Sequence, residues 1–321
     1  MKRISIAVIL IVAMIGTLTL TACSGASGGA ASGDKKIKVG LSMGEVDQWL
    51  SILESAVKKG ADERGYEFSA QDAQKDVQRQ IDQVQTFASQ GFDAIIVVTV
   101  DNTTADAIIQ AAAGVPLVFV NRAVDESVLI EGKVVEVASD ELLSGGFQGE
   151  FLSGYFADKE DKTLDVAILQ GIMGHQSTIK RTDSVIKGLE DSGFTVNEVF
   201  KDTAEFDRAK AMQVVQTWLG TSKHLDVIIS NNDEMALGAI EALKAVGKTT
   251  KDIPVVGIDG SGEGVASIAA GDLNASVFQD AAGQGEGALN AAADLIEGKD
   301  TEKVIYVPWE LITTDNYKDF Q

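Results

Sequence analysis

Short apolar, β-branched runs alternate with helical patterns along most of the chain, and this alternation leaves few folds open. The stretch 225–247 shows the unit most clearly. Residues 225–229, Leu-Asp-Val-Ile-Ile, have the composition of a strand covered on both faces. Ser230-Asn231-Asn232-Asp233 follows at once, and such residues cap a helix by accepting its free N–H groups. Met235, Leu237, Ile240, Leu243 and Val246 then recur at helical spacing until Gly247 supplies a stop. A strand, a polar elbow and a helix make half a βαβ unit, and ligands in open α/β sheets sit beyond the carboxyl ends of the strands. The elbow asparagines are therefore either helix caps or ligand contacts.

The same construction recurs in both directions. Strands are predicted at 36–43, 66–70, 93–100 and 116–120, with helices at 49–65, 76–90 and 104–113 between them. In the second helix Ile81, Val84 and Phe87 face inward. A βαβαβαβ run implies a parallel sheet with right-handed crossovers, and a linking strand at 133–137 leads out of it. The pattern then restarts, with strands at 164–169, 194–200, 225–229, 253–258 and 274–278. Helices at 142–157, 176–192, 207–219 and 261–270 accompany them, followed by an alanine-rich helix at 281–298 and a last strand at 304–307. The fold class is α/β: two successive doubly wound, parallel-sheet halves.

The N-terminus reads differently. Met1-Lys2-Arg3 is basic, residues 4–20 are apolar and uncharged, and Leu20-Thr21-Ala22-Cys23 resembles the lipobox of bacterial lipoproteins. Residues 1–22 are then a signal peptide and Cys23 the acylated N-terminus. Cys23 is the one cysteine, so the chain has no intrachain disulfide and no cysteine-based metal site. Residues 23–34 are small and polar and form a flexible tether. A G-x-S-x-G match at 25–29 lacks the flanking strand and helix that give that motif meaning. Losing the leader removes Lys2 and Arg3 from the 27 basic residues, leaving 25 against 48 acidic ones, a net charge of −23. Such a surface repels nucleic-acid phosphates and anionic lipid.

Polar side chains gather just past the strands. Asp47 and Trp49 follow the first strand, and Asn121 and Arg122 follow 116–120. His175 comes after 164–169 with Arg181 one turn into the next helix, and Phe206 lies beyond 194–200. Asn232, Asp259 and Gln279 end the next three strands. This mixture suits a neutral polyhydroxylated ligand: aspartates accept, arginines donate, amides do both, and aromatic rings cover the apolar C–H faces of a pyranose. Neither G-x-x-x-x-G-K-[ST] nor G-x-G-x-x-G is present to cradle a phosphate. Taken singly, each residue has a plainer role: Asp259 a turn aspartate, Trp49 and Phe206 core, His175 a structural imidazole. With His224 the only other histidine, a histidine-based metal site is not expected.

Four blocks carry a resemblance over residues 36–321: 115–122, Gly174-His175 with Arg181, 202–207, and 231–244. In these the chain resembles the type I periplasmic sugar-binding proteins, receptor components of ABC importers, and within them the galactose/glucose-binding proteins. The resemblance implies sugar ligands at Asp47, Asn121, His175, Arg181, Asn232 and Asp259, with Trp49 and Phe206 as the stacking pair. Arg122 stands where galactose/glucose binders have a lysine. Ser177 replaces a carboxylate that helps hold the anomeric hydroxyl, Phe206 replaces a tryptophan, and Gln279 replaces an asparagine, as in ribose-type relatives. Asp158-Lys159-Glu160-Asp161-Lys162 lacks the spacing of that subgroup's calcium loop. The ligand class is then a monosaccharide, with a galactose- or glucose-like hexose first and a pentose or inositol as alternatives.

The resemblance further implies two non-contiguous lobes, 35–139 with 280–306 and 140–279 with 307–321. They would be joined by a hinge near Ser139, Gln279 and Tyr306. It implies a monomer that delivers its sugar to a permease and its ATPase, with no cofactor and no chemistry of its own. A secreted glycosidase using Asp47 and Asp259 is the enzyme alternative, disfavoured because Arg122 and Arg181 would hold both carboxyls ionised. A repressor core is disfavoured by the leader and the acidic balance. A receptor coupled to a chemosensor has the same sequence signature as a transport receptor.

Overall fold

The alternation of buried strands and capped helices is realised in full in a computed structural model that describes residues 35–321; the leader, Cys23 and the tether lie outside the described residues. In chain order the first elements are β1 (Lys38–Met43), α1 (Gln48–Glu63), β2 (Glu67–Asp72), α2 (Val77–Ser89), β3 (Ala94–Val98), α3 (Ala105–Ala111), β4 (Leu117–Val120) and β5 (Val134–Ala138). Then come α4 (Glu141–Tyr155), β6 (Thr163–Gln170), α5 (Gln176–Asp191), β7 (Thr195–Thr203), α6 (Arg208–Gly220), β8 (Val227–Ser230) and α7 (Asp233–Ala245). The chain finishes with β9 (Val255–Asp259), α8 (Gly262–Ala270), β10 (Ala275–Gln279), α9 (Ala281–Ile296), β11 (Val304–Tyr306) and β12 (Trp309–Ile312).

These strands form two sheets, ordered β11-β5-β4-β3-β1-β2 and β12-β10-β9-β8-β6-β7, within one compact unit, Lys36–Gln321. Every pairing between these strands is parallel except β10 with β12, which places Gln279 opposite Trp309. Central strands such as β3, β4, β5 and β8 are buried on both faces, which is why they read as continuous apolar runs rather than alternations. Helices pack on each sheet: α1 against α9 over the first, α4 against α5 and α6 against α7 over the second. The chain passes between sheets three times, after β5, after β10 and after β11. No helix of the described residues is long and apolar enough to cross a membrane.

Three features differ from the sequence reading. Strand β12 was not expected: four residues following Pro308 are too few to show a period. Strand β7 runs to Thr203 rather than stopping at 200, because it is a sheet edge whose residues face water and carry little apolar signal. Val246 is not on the buried face of α7 but caps its end, 54% exposed.

Candidate functional site

Each rim residue is held where it is by local backbone chemistry. Asp47 caps α1, its Oδ1 accepting from Leu50 N at 2.7 Å. Asn232 caps α7 in the same way, Oδ1 accepting from Met235 N at 3.0 Å, so among the described residues its Nδ2 has no hydrogen-bond partner and remains for the cavity. The choice between cap and ligand contact for that asparagine was a false one, since one amide has atoms for both. Asn121, Phe206 and Asp259 all take positive φ, at 70°, 62° and 118°. For Asn121 this is mild, whereas for an aromatic it costs about 1–3 kcal/mol, which the surroundings must offset. That conformation lays the Phe206 ring directly over Gly171, where an added Cβ would sit 2.0 Å from ring atoms.

Asp47, Trp49, Asn121, Arg122, His175, Arg181, Phe206, Asn232, Asp259 and Gln279 all line one cavity of about 100 Å³. The two sheets contribute from opposite sides. The cavity's edge also includes Thr99, Asn102, Glu141, Gln176 and Ser177, four of which the sequence reading passed over. Thr99 directly follows β3 and could have been found by the same strand-end rule. Glu141 gave no local signal, because it enters through an ion pair formed across the fold.

That ion pair organises the floor. Arg181 is buried, with Nε 2.7 Å from Glu141 Oε2 and Nη2 3.0 Å from Oε1, a bidentate fork. It also donates to Asn231 O at 2.9 Å and Gln279 Oε1 at 3.3 Å, and lies over the Trp309 ring at 5.4 Å. Its Nη1 is 3.6 Å from Asp259 Oδ1, an ion pair too long for a hydrogen bond. The guanidinium is therefore spent on protein, and Asp259 keeps its lone pairs. Burial pushes the Asp259 carboxyl well above the ordinary range; Arg181 opposes this, while Asp233, Asp47 and Glu141 add to it. Asp233 supports the loop from beneath: Oδ1 accepts from Ser276 Oγ at 2.6 Å and Oδ2 from Ser261 N at 2.8 Å. Burial raises its pKa to about 6.

On the other side, Arg122 donates to Thr99 O at 2.8 Å and pairs with Glu45, which Lys75 also contacts at 2.7 Å. Burial works against ionised Glu45, but Lys75 and Arg122 together hold its carboxyl below the usual range. Asp47 is open to cleft water yet closely ringed by protein, and desolvation, reinforced by Glu45, pushes it up; contrary to the expectation from the sequence, the arginines do not hold the Asp47 and Asp259 carboxyls low. Desolvation and then Arg122 push His175 down, so the imidazole is neutral near pH 7. Trp49 Nε1 donates to Gln279 O at 3.1 Å, tying the two rims together. Three buried polar atoms on the cavity wall, Thr99 Oγ1, Gln176 Oε1 and Gln279 Nε2, have no hydrogen-bond partner among the described residues. Such atoms are costly to bury unless a ligand satisfies them.

Away from the cleft, Asp165, His224 and Asp226 come within metal-ligating reach of one another. Lys159 Nζ already lies 3.2 Å from Asp226 Oδ1 and supplies the positive charge there.

Residues 39–300 match the model of a family described as the periplasmic binding protein domain. A putative rhizopine-binding protein of Rhizobium meliloti is 38% identical over 80% of this chain and 83% of its own. The D-galactose/methyl-galactoside binding periplasmic protein of Haemophilus influenzae is 30% identical over 96% and 98%. A solved ABC transporter solute binding protein from Bacillus halodurans C-125, with bound myo-inositol, superposes with a TM-score of 0.81. It is 34% identical and covers 89% of this chain and 97% of its own. The galactose-binding relative is thus one among several, and less similar than the other two.

Proposed function

Since the chain belongs to the periplasmic binding protein family, we propose that its cleft holds a six-membered cyclic polyol and closes around it by hinge motion. Membership makes the protein a sugar-binding receptor of an ABC importer, acting outside the cytoplasm, and a solute receptor rather than an enzyme. The observation that carries the ligand class is the set of unspent polar atoms around one cavity. Asp47 and Asp259 offer acceptors, Asn232 Nδ2 and Gln279 Nε2 offer donors, and Trp49 and Phe206 offer ring faces. A ring of hydroxyls matches every one of them. An anion would meet two carboxylates, while the nearest guanidinium groups are already paired, Arg181 with Glu141 and Asp259 and Arg122 with Glu45.

Within that class, an inositol is favoured over a galactose- or glucose-like hexose. Ser177 stands at the cavity where galactose/glucose binders carry a carboxylate for the anomeric hydroxyl, a group that a cyclitol lacks. The 34% identical relative solved with myo-inositol supports placing the inositol first. The lobes of this reading are 35–139 with 280–306 and 140–279 with 307–321. The membership of β11 in the first sheet and β12 in the second supports that division. Acylation of Cys23 after removal of residues 1–22 would tether a monomeric receptor to the membrane. The test is thermal unfolding and calorimetry over myo-inositol, glucose, galactose and ribose, because a ligand that binds only the folded state raises the melting temperature. Myo-inositol should give the largest shift. A largest shift with ribose, or none with any polyol, overturns the reading.

A further inference from the structure

Among the described residues Arg181 is the only buried lysine or arginine, and two carboxylates stand within its reach. Glu141 holds it in the fork described above, while Asp259 Oδ1 stands 3.6 Å from Nη1. A guanidinium has five N–H groups and cannot shed its charge. The Nε hydrogen and one on Nη2 go to Glu141, the other on Nη2 to Gln279 Oε1, and one on Nη1 to Asn231 O. One Nη1 hydrogen is then left, and Asp259 is the carboxylate nearest to that nitrogen, beyond hydrogen-bond distance.

The fold selects Glu141 as the near partner. Glu141 is the first residue of α4, and Arg181 lies in the second turn of α5. The two helices approach closely because Gly145 lacks a side chain: a Cβ there would sit 2.5 Å from Arg181 O. The Trp309 ring covers the guanidinium at 5.4 Å, and its Nε1 donates to Asp140 O at 2.8 Å, next to Glu141. Carboxylate, cation and ring are thus fixed as one block beside Asp259.

Both carboxylates line the cavity, but they are not equivalent there. Both Glu141 oxygens are hydrogen-bonded to Arg181, whereas Asp259 meets the same guanidinium at 3.6 Å. Without the Glu141 charge, a buried cation would lose its close partner, which is costly away from water. The nearest replacement is Asp259, because closing the gap by about 1 Å makes a charge-assisted hydrogen bond of about 2.8 Å. Burial works most against an ionised Asp259 and the Glu141 charge adds to it, so loss of Glu141 favours that pairing twice over.

We infer that Glu141 is a positioning residue for ligand binding: by keeping Arg181 in its fork, it prevents the guanidinium from pairing closely with Asp259 and leaves that carboxylate to accept ligand hydroxyls. This rests on the polyol reading of the cavity and adds to it what sets the strength of one of its acceptors.

The experiment compares Glu141→Gln, which keeps the shape and loses the charge, with Glu141→Asp, which keeps the charge and loses a methylene. Calorimetry with the best polyol of the panel should show affinity falling about 10- to 100-fold for Glu141→Gln, the loss expected when a ligand must displace a charge-assisted bond. Glu141→Asp should lose clearly less. That order separates the inference from a merely structural role, under which the isosteric Glu141→Gln would be the milder change. A crystal structure of unliganded Glu141→Gln should show Arg181 within about 3 Å of an Asp259 oxygen. Affinity of Glu141→Gln within about threefold of wild type, a larger loss for Glu141→Asp, or an Arg181–Asp259 separation that stays beyond about 3.5 Å each overturns the inference. Failure of Glu141→Gln to fold overturns it too, since Asp259 would then have been unable to take over the buried charge. Failure of every polyol to bind the wild type overturns the polyol reading, while the Arg181–Asp259 separation still decides the re-pairing.

Discussion

Asp259→Asn should move affinity and stability in opposite directions. The wild-type carboxylate is largely enclosed, its side chain 13% exposed, 3.6 Å from a guanidinium already forked onto Glu141, and it lines the cavity. A hydrogen bond to a charged partner contributes about 1.5–3 kcal/mol, and an amide keeps one acceptor oxygen but loses the charge, so affinity should fall roughly 10- to 150-fold. In the unliganded protein the same change removes a desolvated negative charge that also repels Asp233, Asp47 and Glu141. Asparagine tolerates the φ of 118° at least as well as aspartate, so no strain is added. The unliganded variant should therefore melt higher than wild type. The pH dependence follows from the sign of the shift. Because the folded-state pKa is raised above the ordinary value of 3.8, the folded protein binds the proton more tightly than the unfolded chain, and wild-type stability falls as pH rises above that value. The variant's advantage should vanish near pH 3.8, where the unfolded carboxyl also protonates, and grow towards neutral pH. Calorimetry with the best polyol and thermal scans across that range are the measurements. A variant that melts lower at neutral pH and binds within about threefold of wild type would refute both the desolvated-charge argument and the place of Asp259 in the site.

Three further outcomes are expected. Trp49 borders the ligand cavity and bonds to Gln279 O, so a variant retaining only that tryptophan should change fluorescence on saturation; Trp218, buried against Phe200 and bonded to Asp202, should stay silent. An unresponsive Trp49 in a variant that still binds removes it from the site. Burial raises the Glu136 carboxyl to about 7 against the retained bond from Val124 N, so its folded form holds an extra proton between pH 4.5 and about 7 and stability falls across that window. Glu136→Gln keeps an acceptor for Val124 N and should be more stable above pH 7 by up to about 3 kcal/mol, with no gain near pH 4; equal stability at pH 8 would refute this. Cys23→Ser should abolish labelling by a radioactive fatty acid, and labelling that persists would remove Cys23 as the attachment point.

Much of this protein was legible before any coordinates. A strand buried on both faces must be apolar throughout, and a helix start must satisfy its free N–H groups, so runs such as 225–229 followed by Ser230-Asn231-Asn232-Asp233 announce both the element and its polarity. Parallel order then sends every such elbow to the same end of a sheet, which is why Asp47, Asn121, Asn232 and Asp259 could be grouped without an atom being placed. What tertiary structure alone decided depends on groups distant in sequence. Glu141 neutralises Arg181 across 40 positions, and Trp49 reaches a carbonyl 230 residues away. Strand β12 exists because β10 offers it an edge, not because four residues favour extension. Local physics wrote the elements and the polarity of their ends; which charges are spent, and which remain for a ligand, was set by packing between segments that no window of sequence contains.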